Sequence, residues 1–186
     1  MKSEDVDILW HGKYITVVSP KIAPYEIILE DDGVFVIPII GEKIGIRKEY
    51  CPPYLLKNHD VNELFYTVIT GDIDDGETDG EAAVRELKEE AGITILSYKI
   101  LYYKKNIPLC KSTSLRSSIY IINIDNYRYD KPETDGTDYE KKSKTIWVTP
   151  NKLTEIVENS DNIDYLLLSG YFLLKDKLDD KFFWIS

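Results

Sequence analysis

The chain is poor in residues that build soft metal sites or disulfide frameworks. Its 186 residues include two cysteines, Cys51 and Cys110, and two histidines, His11 and His59. None stands at the close spacings of zinc sites, so reduced thiols and packing or surface histidines are expected. Long apolar runs are missing too. The longest, residues 34–40 with Pro38 inside it, falls far short of the ~20 residues that a membrane helix needs. The opening residues carry no basic segment ahead of an apolar core, so a cytoplasmic location is expected. Positive charge is in deficit. Lysine plus arginine number 23 against 33 acids, a formal net charge of −10, which disfavours binding to a nucleic-acid backbone. A phosphorylated ligand would need divalent cations to approach such a surface. What the chain does have is 43% hydrophobic residues, too many for disorder, and a length that suits a single domain over residues 1–186.

Period-two patterning dominates the first third. Residues 10–20 and 25–29 read as early strands, so a short N-terminal β extension over about residues 7–30 is expected. Asp31-Asp32-Gly33 is a turn signal, and residues 34–40 and 43–47 flank Gly41-Glu42 as a hairpin. Residues 52–63 read as a loop and 64–69 as a further strand. From Thr78 the period lengthens to about 3.6. Thr78 and Glu81 form a capping-box pattern, Val84, Leu87 and Ala91 share a helical face, and Gly92 sits where a helix stops. Beyond it, strands are predicted over 93–103 and 117–124, a long charged loop over 126–144, a strand over 145–148, and helices over 150–159 and 163–175.

The chemistry is concentrated in residues 71–93. On the predicted helix, Glu86, Glu89 and Glu90 project from one side, with spacings of three and four residues. Like charges so placed cost a few tenths of a kcal/mol each on an exposed helix, and more on a partly buried one. A hard cation such as magnesium reverses that sign, because it takes oxygen ligands. Arg85 can pair bidentately with Glu77 in the preceding loop and tie loop to helix. Gly71, Gly76 and Gly80 allow tight turning there. A charge run alone usually means a solvated face.

The spacing, however, is Gly71, five residues, Glu77, seven residues, Arg85-Glu86, an apolar residue, any residue, Glu89-Glu90, any residue, Gly92, an apolar residue. At every fixed position this resembles the signature of the Nudix hydrolases. The resemblance implies an α/β fold, an α/β/α sandwich around a mixed sheet, and hydrolysis of a diphosphate linked to another moiety. By the same resemblance Glu86 and Glu90 bind catalytic Mg2+ or Mn2+, Glu89 is a third carboxylate for metal or water, and the carbonyl of Thr70 or Gly71 is a further ligand. Glu77, Arg85 and Gly92 are then structural. The carboxylate that takes the water's proton often follows the signature in this family. Glu133, Asp135, Asp138 and Glu140 are the candidates, with Glu140 favoured for its place just before the 145–148 strand.

The resemblance is greatest to ADP-ribose pyrophosphatases and related nucleotide-sugar hydrolases, through Pro108 after the next strand, Trp10-His11-Gly12-Lys13-Tyr14, Tyr25-Glu26 and the hairpin ending in Arg47. It implies a small nucleotide substrate and a homodimer paired through the early strands. One departure is that Thr67-Val68-Ile69-Thr70 replaces the usual Glu-Leu-Pro-Ala ahead of Gly71. Arg47, Lys104, Lys105 and Arg116 are candidate phosphate contacts, with Arg47, Pro108 and Arg116 the expected substrate-binding set. Trp10, Tyr50, Tyr66 and Tyr103 are candidate base platforms. Nucleoside triphosphates or dinucleoside polyphosphates are alternative substrates, and a nucleotide-sensing module without catalysis is the alternative class. An intact acidic trio argues against the sensor.

Overall fold

The run read as a strand over residues 34–40 is the spine of a seven-stranded sheet. The computed structural model describes residues 6–13, 15–22, 25–50, 64–133 and 141–178. Within them the order is β1 (Val6–His11), β2 (Thr16–Pro20), β3 (Ile27–Leu29), β4 (Gly33–Ile40), β5 (Lys43–Glu49), β6 (Phe65–Thr67), β7 (Ile69–Asp72), α1 (Asp79–Ala91), β8 (Ile93–Pro108), β9 (Arg116–Tyr129), β10 (Lys144–Val148), α2 (Pro150–Asn159) and α3 (Tyr165–Lys177). β1, β2 and β3 form a small antiparallel sheet of their own, the expected N-terminal extension.

The main sheet runs β10-β5-β4-β9-β8 and is mixed, because β4 and β9 pair in parallel while their neighbours pair antiparallel. β4 and β5 touch only beside their turn, at Ile39↔Ile44 and Ile40↔Lys43, and then diverge. The gap is filled from one stretch of chain. β6 pairs with β5 at Arg47↔Thr67, and β7 pairs with β4 at Val34↔Gly71. The single strand expected over 64–69 is therefore two, with the change of partner at Val68, which is fully buried.

Alternation along β4 and β9 builds two cores. Phe35, Ile37, Ile39, Ile119 and Ile121 face one way and pack with Leu153 and Ile156 of α2 and with Leu167, Tyr171 and Leu174 of α3. Val34, Val36, Tyr120, Ile122 and Ile124 face the other way and pack with Ala82, Ala83, Leu87 and Ala91 of α1. Each fully buried Leu or Ile contributes about 1.5–3 kcal/mol. The result is the α/β/α sandwich that the signature implied.

Two strands outrun their sequence signals. β8 reaches Pro108 rather than residue 103, and β9 reaches Tyr129 rather than 124. Apart from the half-buried Ile107, the excess is exposed and mostly polar, so hydrophobic patterning could not mark it. What holds it is the β8–β9 ladder, from Ile93↔Tyr129 to Pro108↔Arg116. The 52–63 loop lies outside the described residues.

Candidate active site

α1 begins as its sequence dictates. Thr78 accepts a hydrogen bond from the Glu81 N–H, and the Glu81 carboxylate accepts in return from the Thr78 N–H at 2.9 Å. It ends at Gly92, which adopts φ 66°, and a Cβ there would also meet the Asp130 carbonyl oxygen at 2.1 Å.

The buried stripe of the helix is Ala83, Leu87 and Ala91 rather than Val84, Leu87 and Ala91; Val84 is half-buried at its margin. Glu86 and Glu90 each precede a stripe residue, so at about 100° per residue they flank the stripe instead of opposing it. They are consequently drawn toward the interior, with Glu86 only 8% exposed. Burial pushes the Glu86 carboxyl up to about 7, against the pull of Arg85, and the Glu90 carboxyl up to about 8, against the pull of Arg47. Glu89, one position further round, stays more accessible.

Two arginines organise the trio. Arg85 donates from Nε and NH2 to the two oxygens of Glu77, at 3.0 and 2.9 Å, which is the expected clasp. It also donates to the Asp72 carbonyl at 2.7 Å, and its NH1 reaches Glu86 at 2.5 Å and Glu89 at 3.1 Å. Hydrogen bonding to Arg85 holds the Glu77 carboxyl below its ordinary value. Arg47, on β5, is 6% exposed; it meets Glu90 Oε1 at 2.8 Å and the Glu90 carbonyl at 3.2 Å, with Glu49 at 3.4 Å from its Nε. The Glu90 carbonyl takes a second donor, Thr145 Oγ1, at 2.9 Å.

Gly71 on β7 is where strand meets acid. A Cβ there would lie 1.8 Å from Glu86 Oε1 and 2.6 Å from its Cγ, so only glycine lets that carboxylate lie against the main chain. Glu86, Glu89, Glu90 and Arg47 all line one cavity of about 720 Å³, shared with Tyr129, Pro132, Glu133, Lys144, Thr145 and Trp147.

Other expected residues fall elsewhere. Pro108 and Arg116 pair with one another across β8 and β9 and do not line this cavity. Arg116 borders a second cleft with Glu30, Asp32 and Lys105. Lys104 is exposed, while Lys105 lies 3.9 Å from Asp79. Glu133 lines the cavity and meets Lys88 at 2.8 Å. Glu140, Asp135 and Asp138 lie outside the described residues. Of the four aromatics named as base platforms none lines the cavity. Trp10 is exposed on β1, Tyr50 and Tyr66 lie beside Lys142 and Lys48, and Tyr103 donates to Asp79 at 2.8 Å. The aromatics that do line it, Tyr129 and Trp147, went unnamed. Trp147 stood in a predicted strand, and Tyr129 is carried there by the unmarked end of β9.

Among the described residues no three acidic, histidine or cysteine side chains are closed together as a cation cage; guanidinium groups lie between the carboxylates. The donors nonetheless fit a hard divalent cation. They are all oxygens, the three glutamates line one cavity, Glu86 lies against Gly71, and Glu90 Oε2 is buried without a hydrogen-bond partner among the described residues.

A family model described as NUDIX domain matches residues 33–167. The chain belongs to the Nudix family. It is thus a Nudix pyrophosphohydrolase, of a family that typically uses a divalent metal and takes nucleotide-type substrates. Among solved structures it is similar to one described as an ADP compounds hydrolase, with a TM-score of 0.68 and 21% identity over 96% of this chain and 94% of that one. That likeness shows the Nudix fold. No curated protein gives a significant match. No helix among the described residues is long and apolar enough to cross a membrane.

Proposed function

We propose that the protein hydrolyses the P–O–P bridge of a nucleoside diphosphate linked to another moiety, with ADP-ribose or a similar nucleotide sugar as substrate. The observation that carries this reading is Glu90 Oε2, buried and without a hydrogen-bond partner among the described residues, with Glu86 and Glu89 lining the same cavity. Glu86, Glu89 and Glu90 would hold Mg2+ or Mn2+, with the main-chain carbonyl of Thr70 or Gly71 as a further ligand. Bound there, the cation supplies charge neutralisation at the diphosphate oxygens and lowers the pKa of a water.

The chain's own residues do the rest. Arg85 and Arg47 keep like charges assembled before substrate arrives. A carboxylate takes the proton from water as it adds to one phosphorus, and the bridging P–O bond breaks with its electron pair leaving on the second phosphate. Glu140 remains our choice for that carboxylate. The nucleotide-sugar assignment is supported by the resemblance in Pro108 and the hairpin ending in Arg47, and by the distant likeness to an ADP compounds hydrolase. A homodimer is proposed as well, supported by exposed Ile8, Leu9 and Trp10 on β1; sedimentation at a monomer's mass would sink it.

The test is a panel of nucleotides incubated with Mg2+ or Mn2+, with products resolved by chromatography. AMP and ribose 5-phosphate from ADP-ribose are expected. Nucleoside monophosphate and pyrophosphate from a triphosphate would move the assignment to that substrate class, and tight binding without products would make the protein a sensor.

A further inference from the structure

Arg47 is placed unlike a substrate-binding arginine. It is almost wholly buried in β5, and two of its nitrogens are spent on one residue. NH2 meets Glu90 Oε1 at 2.8 Å, and NH1 donates to the Glu90 carbonyl at 3.2 Å. Gripping a side chain and its own main chain together removes the freedom of the torsions between them. Thr145, from β10 on the other edge of β5, holds the same carbonyl, so Glu90 is anchored to two adjacent strands. Glu49 beside Arg47 Nε keeps the guanidinium from neutralising the region, since one cation then stands between two acids. The Thr70 main chain also hydrogen-bonds the Glu90 carboxyl, and after these contacts Oε2 is left buried and without a hydrogen-bond partner among the described residues.

We infer that Arg47 is a positioning residue, which clamps Glu90 through Oε1 and the carbonyl so that Oε2 is the oxygen presented to the divalent cation. This rests on the reading that the glutamate trio holds that cation, and it differs from the expectation that Arg47 contacts phosphate. Outer partners that orient a ligand commonly change metal affinity by about 10- to 100-fold when removed.

The experiment measures Mn2+ alone, by loss of the free-ion electron paramagnetic resonance signal on titration into the full-length protein, its Arg47→Met and Arg47→Lys variants, and Glu90→Gln. Uptake by the wild type, a loss of about tenfold or more in Arg47→Met, and partial recovery in Arg47→Lys are expected. A lysine can donate to the carboxylate or the carbonyl but cannot fork to both. Should Arg47→Met fail to fold, Arg47→Lys decides, with weakened uptake supporting the clamp and wild-type uptake overturning it. Unchanged or tighter Mn2+ binding in Arg47→Met overturns the clamp while leaving the metal reading intact; the tighter result would mean a competing cation. No uptake by the wild type overturns both.

Discussion

Gly71 and Glu86 interlock. The missing Cβ of one is the resting place of the carboxylate of the other, so Gly71→Ala must displace Glu86 from Cγ outward. An exposed strand position would tolerate that change. Here turnover is expected to fall about a hundredfold, the usual scale for a misplacement near 1 Å, with the fold retained; kinetics beside a thermal melt would check it. Glu90→Gln keeps volume while removing charge, and turnover is expected to fall by orders of magnitude at saturating Mg2+. Wild-type-like turnover in that variant would defeat the site assignment. The identity of these residues was readable from their spacing because helix periodicity and signature lie within one short segment. Their burial was not. It depends on which side of α1 meets the sheet, and that choice is made by Ala82 and Ala83, small residues that the periodic pattern under-weighted. The partnership of Arg47 with Glu90 was equally hidden, because it joins residues 43 apart in the chain, one on a strand and one on a helix.

At the scale of elements, the loop from β7 to α1 is held by the Glu77–Arg85 clasp. Hydrogen bonding to Arg85 keeps the Glu77 carboxyl below its ordinary 4.5, so on acidification the unfolded chain takes up that proton first. The clasp's contribution is therefore complete above about 4.5 and is lost as pH falls through the lower folded value. Urea unfolding between pH 3 and 7 should show this slope in the wild type, and a shallower one in Glu77→Gln. A different join secures α3. Asp164 accepts from the Leu167 N–H at 2.8 Å and from Thr67 Oγ1 at 2.6 Å, capping the helix and tying it to β6. Asp164→Ala is expected to cost about 1–2 kcal/mol in chemical denaturation, and Asp164→Asn less, since an amide oxygen can still cap. Helix positions were legible in the sequence because caps and stripes are local. The lengths of β8 and β9, and the division of residues 64–72 into two strands, were not. Pairing set them, between residues far apart in the chain.

For the molecule as a whole, the net charge of −10 and the trio of crowded acids point to the same dependence on cations. An ion that binds only the folded state stabilises it by mass action, about 2.7 kcal/mol at a hundred times its Kd. Mn2+ should accordingly raise the melting temperature by several degrees, and the shift should vanish in Glu90→Gln; an equal shift in both would place the ion elsewhere. The layered plan could be anticipated once the signature had named a family, while the wedge of β6 and β7 between β4 and β5 could not, since nothing in residues 64–72 advertises two partners. That β4 and β9 send alternate side chains to opposite cores has a use in engineering. Substitutions among Phe35, Ile37, Leu153, Leu167 and Leu174 can be recombined in libraries to harden the scaffold, while the odd-man neighbours Val34, Val36 and Leu87 are left untouched beneath the chemistry. One backbone thus offers two separately tunable halves, and a designer can trade robustness in one without renegotiating reactivity in the other.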